Sequence, residues 1–343
     1  MKKIIINPSR RDFVLAASSV AATSSAMSRI EEASADKLGA VMPRRRLGKT
    51  EMMVTRYCPG GLHFGKMEAA ENQRAIDRCI EMGVRFFDTA ASYGKGLSEE
   101  LYGKHLTPKY REHIQIMSKG GGKNARAVRE QLEGGLKRMK TDYIDLYMIH
   151  AINSVEDGQR RLKNGVLDEL RKAKAEGKIR HIGFSGHRTT AGLNWLINEG
   201  FPDVEAVLLP INVADPSYDS FILNTVPLLQ KKDVGILAMK TLGNGGLLGR
   251  KRSQVNGNPA GRSVIPEILS VREAHRFALS MPVASMVSGS NDLQQLEYNL
   301  ETATDFRPMD APERDRLIAS CAEQGKTGEM EFYKWPKMSP PKT

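Results

Sequence analysis

Short apolar runs alternate with amphipathic stretches along the chain, and the connections between them carry glycine. Apolar positions at helical spacing predict helices over Arg74–Met82, Ser98–His105, Arg126–Met139 and Gly165–Glu176, the last stopped by Gly177. Apolar runs predict strands at Ile114–Met117, Tyr143–Ile149, Ile179–Phe184, Val204–Leu209, Val234–Met239 and Val283–Val287. Such alternation predicts parallel strands joined by crossover helices. The expected class is α/β, a (β/α)8 TIM barrel; at 343 residues the chain is read as one large catalytic domain, since such barrels run as single units of about 250 residues or more.

Parallel strands closed into a barrel bring their C-terminal ends to one face, where barrel enzymes build their sites. The residues behind the apolar runs are therefore candidates for chemistry. Arg85-Phe86-Phe87-Asp88-Thr89-Ala90-Ala91-Ser92-Tyr93-Gly94 sets a carboxylate and a phenol five residues apart at a strand end. Lys119 follows Ile114–Met117, and His150 follows Tyr143–Ile149. A phenol with a pKa of about 10 donates a proton poorly unless a nearby cation stabilises its anion. Lys119 is expected to be that cation, held charged by Asp88, with His150 hydrogen-bonding a substrate carbonyl oxygen. The set suits hydride addition to a carbonyl, with Tyr93 protonating the new alkoxide.

With those residues in place, the chain resembles the aldo-keto reductase superfamily from about Arg44 to the low 300s. Arg45-Arg46-Leu47-Gly48-Lys49-Thr50 is similar to the opening β-hairpin of that family, and Gly60-Gly61-Leu62 to the end of its first barrel strand. Ile182-Gly183-Phe184-Ser185-Gly186 is similar to its nicotinamide-contacting strand end, and Ser288 to Asn299 to its adenosine-phosphate segment. The resemblance implies an Asp88-Tyr93-Lys119-His150 tetrad and a bound nicotinamide dinucleotide, NADP(H) with NAD(H) as the alternative. It implies cofactor contacts at Gly60, Gly61, Leu62, Asp88, Ser185, Gly186, Met239, Lys240, Leu242, Lys251, Arg252, Gly289, Asn291, Gln295 and Asn299. The expected activity is interconversion of a small aldehyde or ketone with its alcohol; the alternative is a cofactor-sensing regulatory subunit with little turnover.

Three positions depart from the family pattern. Gly186 and Leu208 stand where members usually carry Asn and Gln for the carboxamide, and Met239 stands where many stack an aromatic ring. The segment Thr241–Ser263, rich in Gly, Asn and basic residues, is read either as a surface insertion or as a lid using Lys251 and Arg252 on phosphate. Phe332, Tyr333 and Trp335 of the tail are read either as a wall of the substrate pocket or as an arm packed on the barrel.

At the N-terminus, Lys2-Lys3, the pair Arg10-Arg11 and the small apolar run Ala16–Ala22 have the order of a twin-arginine signal peptide. The expected organisation is a signal peptide and linker over residues 1–35, the barrel over 36–323 and a C-terminal extension over 324–343. The export machinery becomes a partner, and the expected location is periplasmic or extracytoplasmic, with no membrane anchor after cleavage. The hydrophobic fraction of 40% and charged fraction of 27% are those of a soluble globular protein. Net charge is +11, but the basic residues are scattered and lack interleaved aromatics, so nucleic acid is not an expected partner. Cys58, Cys79 and Cys321 form no disulfide framework and no metal-ligand spacing, and no metal is expected.

Overall fold

The computed structural model describes residues 34–249, 263–265 and 268–335. Two antiparallel hairpins come first: β1 (Ser34–Asp36) with β2 (Gly39–Val41), and β3 (Arg44–Arg46) with β4 (Met53–Thr55). Seven parallel strands follow, each largely buried: β5 (Tyr57–Pro59), β6 (Phe86–Asp88), β7 (Gln115–Gly120), β8 (Ile144–Ile152), β9 (Ile179–Gly186), β10 (Ala206–Pro210) and β11 (Gly235–Met239). A small antiparallel pair, β12 (Ser263–Ile265) and β13 (Leu269–Ser270), precedes the eighth barrel strand, β14 (Ser285–Ser288).

The barrel strands pair in the order β5-β14-β11-β10-β9-β8-β7-β6, and a parallel bridge between Gly60 and Asp88 joins the two ends. This is the (β/α)8 barrel with its preceding hairpin. Inside it Phe86, Met117, Leu146, Met148, Leu208 and Leu237 pack together, and Leu47, Met52 and Val54 of the second hairpin join them. Leu208, at a departure from the family pattern, is thus part of this interior packing.

The helices cover the outside, and their apolar stripes match the spacing in the sequence. Ala125–Met139 starts at Asn124, whose side chain accepts from Ala127 N–H, and buries Val128, Leu132, Leu136 and Met139 against the strands. Each such side chain contributes about 1.5–3 kcal/mol through burial. Among the described residues no helix is long and apolar enough to cross a membrane. The three cysteines are free and buried, Cys58 within β5.

The described part of the Thr241–Ser263 segment turns through Gly243–Leu248 and packs on the C-terminal arm. Ideal Cβ atoms at Gly243 and Gly246 would run into the carbonyl oxygen of Met330, so backbone approaches backbone there. Lys251 and Arg252 lie outside the described residues, as do residues 1–33 with the paired arginines.

Candidate active site

Strand register brings Asp88, Tyr93, Lys119 and His150 to one mouth of the barrel. Asp88 ends β6 opposite Met117 of β7, and Lys119 lies two residues further along β7, opposite Met148 of β8. The Lys119 ammonium is hydrogen-bonded to Asp88 Oδ1, to the Thr89 carbonyl at 2.8 Å and to the Tyr93 hydroxyl at 3.3 Å. The His150 ring meets the Tyr93 ring edge-on, with centroids 5.8 Å apart. Both carboxylate and ammonium are almost fully buried.

Burial pushes the Asp88 carboxyl above the usual carboxylate range, against the pull of Lys119 and a Gly61 backbone hydrogen bond. Burial also opposes charge on Lys119, but Asp88 and Tyr93 outweigh it and raise its pKa, so the proton stays on lysine and the pair is ionic. Tyr93 differs from expectation. Burial raises its phenol, Lys119 offsets this only in part, and the charge of Asp88 adds to the rise. Tyr93 is therefore protonated at neutral pH.

His150 is pushed down to about 3 by burial and by the surrounding cations Lys119, Arg161, Lys240 and Lys123, so its imidazole is neutral. Its Nδ1 lies 3.4 Å from Ser92 Oγ; with Ser92 donating, the ring proton sits on Nε2. Buried Arg161 fixes the backbone here, donating to the carbonyls of His150 at 2.8 Å and Ala151 at 3.0 Å while pairing with Asp157.

The expected cofactor residues that are described lie at the ends of five barrel strands, β5, β6, β9, β11 and β14. Gly60, Gly61 and Leu62 follow β5, beside Gly289, Asn291, Gln295 and Asn299 after β14. A Cβ at Gly60 would lie 3.1 Å from Gly289 N, and one at Gly61 would overlap the Asp88 carbonyl, so both positions are held open by glycine. Asp292 caps the helix Leu293–Thr304 by accepting from Gln295 N–H at 2.8 Å, and that helix aims its N-terminus at the loop. Glycine-lined backbone beside a helix N-terminus fits a dinucleotide phosphate. The polar side chains there are paired with one another: Asn299 with Ser290, Gln295 with Asp292, and Asn291 with His63 at 2.7 Å. His63 was not legible as a site residue. Its position three residues after Gly60 was the available signal.

Ser185 is buried at the end of β9 and accepts from Ala151 N–H at 3.0 Å, which leaves its hydroxyl proton to donate. Gly186 has a structural cause: a Cβ there would collide with the Leu193 side chain and lie 3.0 Å from the Ile152 carbonyl oxygen. An asparagine does not fit that position. Met239 packs on the interior cluster, Leu242 is buried just beyond, and Lys240 reaches instead to Tyr333 of the C-terminal arm. His187, directly behind Ser185-Gly186, also faces Tyr333 and was missed in the sequence. Phe332 and Trp335 are buried in the arm.

Three comparisons relate the chain to known proteins. The model of the aldo/keto reductase family matches residues 57–319. An uncharacterised oxidoreductase, YqkF of Bacillus subtilis, is 23% identical over 293 residues, covering 76% of this chain and 91% of its own length. L-glyceraldehyde 3-phosphate reductase of Escherichia coli is 28% identical, covering 81% and 93% respectively. In fold, the chain is similar to the holo form of an aldo-keto reductase from Bacillus halodurans, with a TM-score of 0.64 and 22% identity over 83% of this chain and 99% of the other. The chain belongs to the aldo/keto reductase family, a family of carbonyl and alcohol oxidoreductases.

Proposed function

We propose that the protein interconverts a small aldehyde or ketone with its alcohol, using NADP(H) or NAD(H) and Tyr93 as the general acid and base. The observation that carries this is one ammonium, Lys119, touching both the Asp88 carboxylate and the Tyr93 hydroxyl beside a neutral imidazole. When bound, a reduced nicotinamide supplies the hydride to the carbonyl carbon. In that direction His150 donates its ring hydrogen bond to the carbonyl oxygen and orients it toward Tyr93. The Tyr93 hydroxyl then gives its proton to that oxygen as negative charge develops, and the resulting phenolate is stabilised by Lys119 until solvent reprotonates it. Gly60, Gly61, Gly289 and the N-terminus of Leu293–Thr304 are the groups that would hold the dinucleotide. Single-turnover assays of nucleotide-loaded protein against a panel of aldehydes and ketones should show oxidation of the nicotinamide that depends on added carbonyl. Absence of such oxidation across the panel would favour the regulatory-subunit alternative.

We further infer export in the folded state through the twin-arginine route, from Arg10-Arg11 and the apolar run behind them. Arg10→Lys with Arg11→Lys should hold the protein in the cytoplasm of fractionated cells. A wild-type protein found there with an uncleaved N-terminus would refute it.

A further inference from the structure

The ends of β9 and β11 carry groups that proton transfer at Tyr93 does not use. Lys240 directly follows β11 with φ of +54°, a left-handed conformation that non-glycine residues seldom adopt. Its carbonyl accepts from Gly243 N–H at 2.8 Å and from Asn212 Nδ2 at 3.4 Å, which hold the turn in place. The side chain places its ammonium 4.8 Å from the centre of the Tyr333 ring, and Tyr333 in turn meets His187 edge-on at 6.1 Å. Tyr333 is pinned: its hydroxyl donates to Glu331 Oε1 at 2.5 Å and accepts from Asn212 Nδ2 at 3.2 Å.

Among the described residues no carboxylate pairs with Lys240. The acids of this corner are engaged elsewhere, since Lys334 bonds Asp215 at 2.7 Å and Glu331 at 2.6 Å. A half-buried ammonium with no counter-charge among the described residues, at a mouth where His150 and His187 are kept neutral, is a focused positive field that attracts an anion. Direction decides which anion. β11 stands between β14, which leads into the expected dinucleotide loop, and β10. Lys240 leans to the β10 side, over a tyrosine tied to Asn212 after β10 and touching His187 after β9. His187 follows the end of β9, the strand paired with the one that carries His150.

Building on the proposed carbonyl chemistry, we propose that Lys240, framed by His187 and Tyr333, is the specificity-determining residue of the substrate pocket, and that the substrate carries a carboxylate or phosphate which this ammonium binds. The same ammonium had been expected on the cofactor.

The test compares two matched pairs, succinic semialdehyde with butanal and glyceraldehyde 3-phosphate with glyceraldehyde, on wild type, Lys240→Met and Lys240→Arg. Wild type should favour the charged member of at least one pair in kcat/KM by about tenfold or more, Lys240→Arg should keep that preference, and Lys240→Met should lose it. A preference intact in Lys240→Met overturns the proposal; so does a tenfold loss of nucleotide affinity with the preference unchanged, which would place the ammonium on a dinucleotide phosphate. Should none of the four aldehydes turn over, the proposed reductase activity fails separately. Calorimetric binding of succinate and of inorganic phosphate to the nucleotide-loaded proteins then decides: weaker binding to Lys240→Met supports the site, and equal binding overturns it. The pH profile adds a signature. Burial pulls Lys240 down to about 8, whereas His150, His187 and His63 are lowered and Tyr333 is raised, and Arg188 adds charge beside His187. Anion affinity should therefore fall as pH rises through about 8 in wild type and stay flat there in Lys240→Met.

Discussion

Tyr93→Phe is expected to lower kcat/KM for carbonyl reduction by about 10²–10⁴-fold while leaving nucleotide affinity and thermal stability close to wild type. The expectation follows from what the hydroxyl touches. Its one described protein hydrogen bond is with Lys119 at 3.3 Å, and Lys119 keeps Asp88 and the Thr89 carbonyl when the phenol is gone. The ring remains for its edge-on contact with His150. What disappears is a proton on an acid that burial keeps protonated, poised to meet an alkoxide, which is a far stronger base than a phenolate. Rates followed by the loss of reduced-nicotinamide absorbance would check this, with nucleotide affinity measured separately. A variant within about threefold of wild type would remove Tyr93 from the chemistry.

Much of this site was legible because barrel geometry converts sequence position into spatial position. Asp88, Lys119 and His150 each follow an apolar run, and parallel register carries such positions to one rim. The helix Ala125–Met139 was legible for a similar reason, since its buried side chains repeat at helical spacing. Contacts between distant, irregular segments left no such trace. Tyr333 and Asn212, 121 positions apart, meet because the C-terminal arm folds back over the loop after β10. Neither segment carries a periodic pattern that would pair them. The meaning of Gly186 was hidden as well. It depends on Leu193 and on a carbonyl of β8, so a departure read as a missing cofactor ligand is also a packing requirement. The phenol of Tyr93 shows the limit for electrostatics: its neighbours were named correctly, but the balance between burial and a shared cation needs the folded environment.

Lys119→Met should destabilise the fold by about 3–5 kcal/mol at neutral pH, and Lys119→Met with Asp88→Asn should recover most of that loss. In the single variant the Asp88 carboxylate loses its cation but stays buried, and the Gly61 backbone hydrogen bond is insufficient to replace it. Burial already raises this carboxyl, and removing Lys119 takes away the largest opposing influence, so its folded-state pKa rises further above the unfolded value near 3.8. The folded variant then binds more protons than the unfolded chain as pH increases from that value toward the raised pKa. Stability consequently falls as pH rises across that window, and the penalty is smallest at acid pH. Neutralising both partners removes the uncompensated charge altogether, which is why the double variant should be the more stable despite carrying two changes. Urea denaturation at pH 5 and pH 8 separates these effects. Equal losses at the two pH values, or a double variant no better than the single one, would show that Lys119 stabilises the barrel through packing and not through its charge. Either double or single variant lacks the ammonium beside Tyr93, so recovery of stability should come without recovery of turnover, distinguishing the structural work of this ion pair from its work on the phenol.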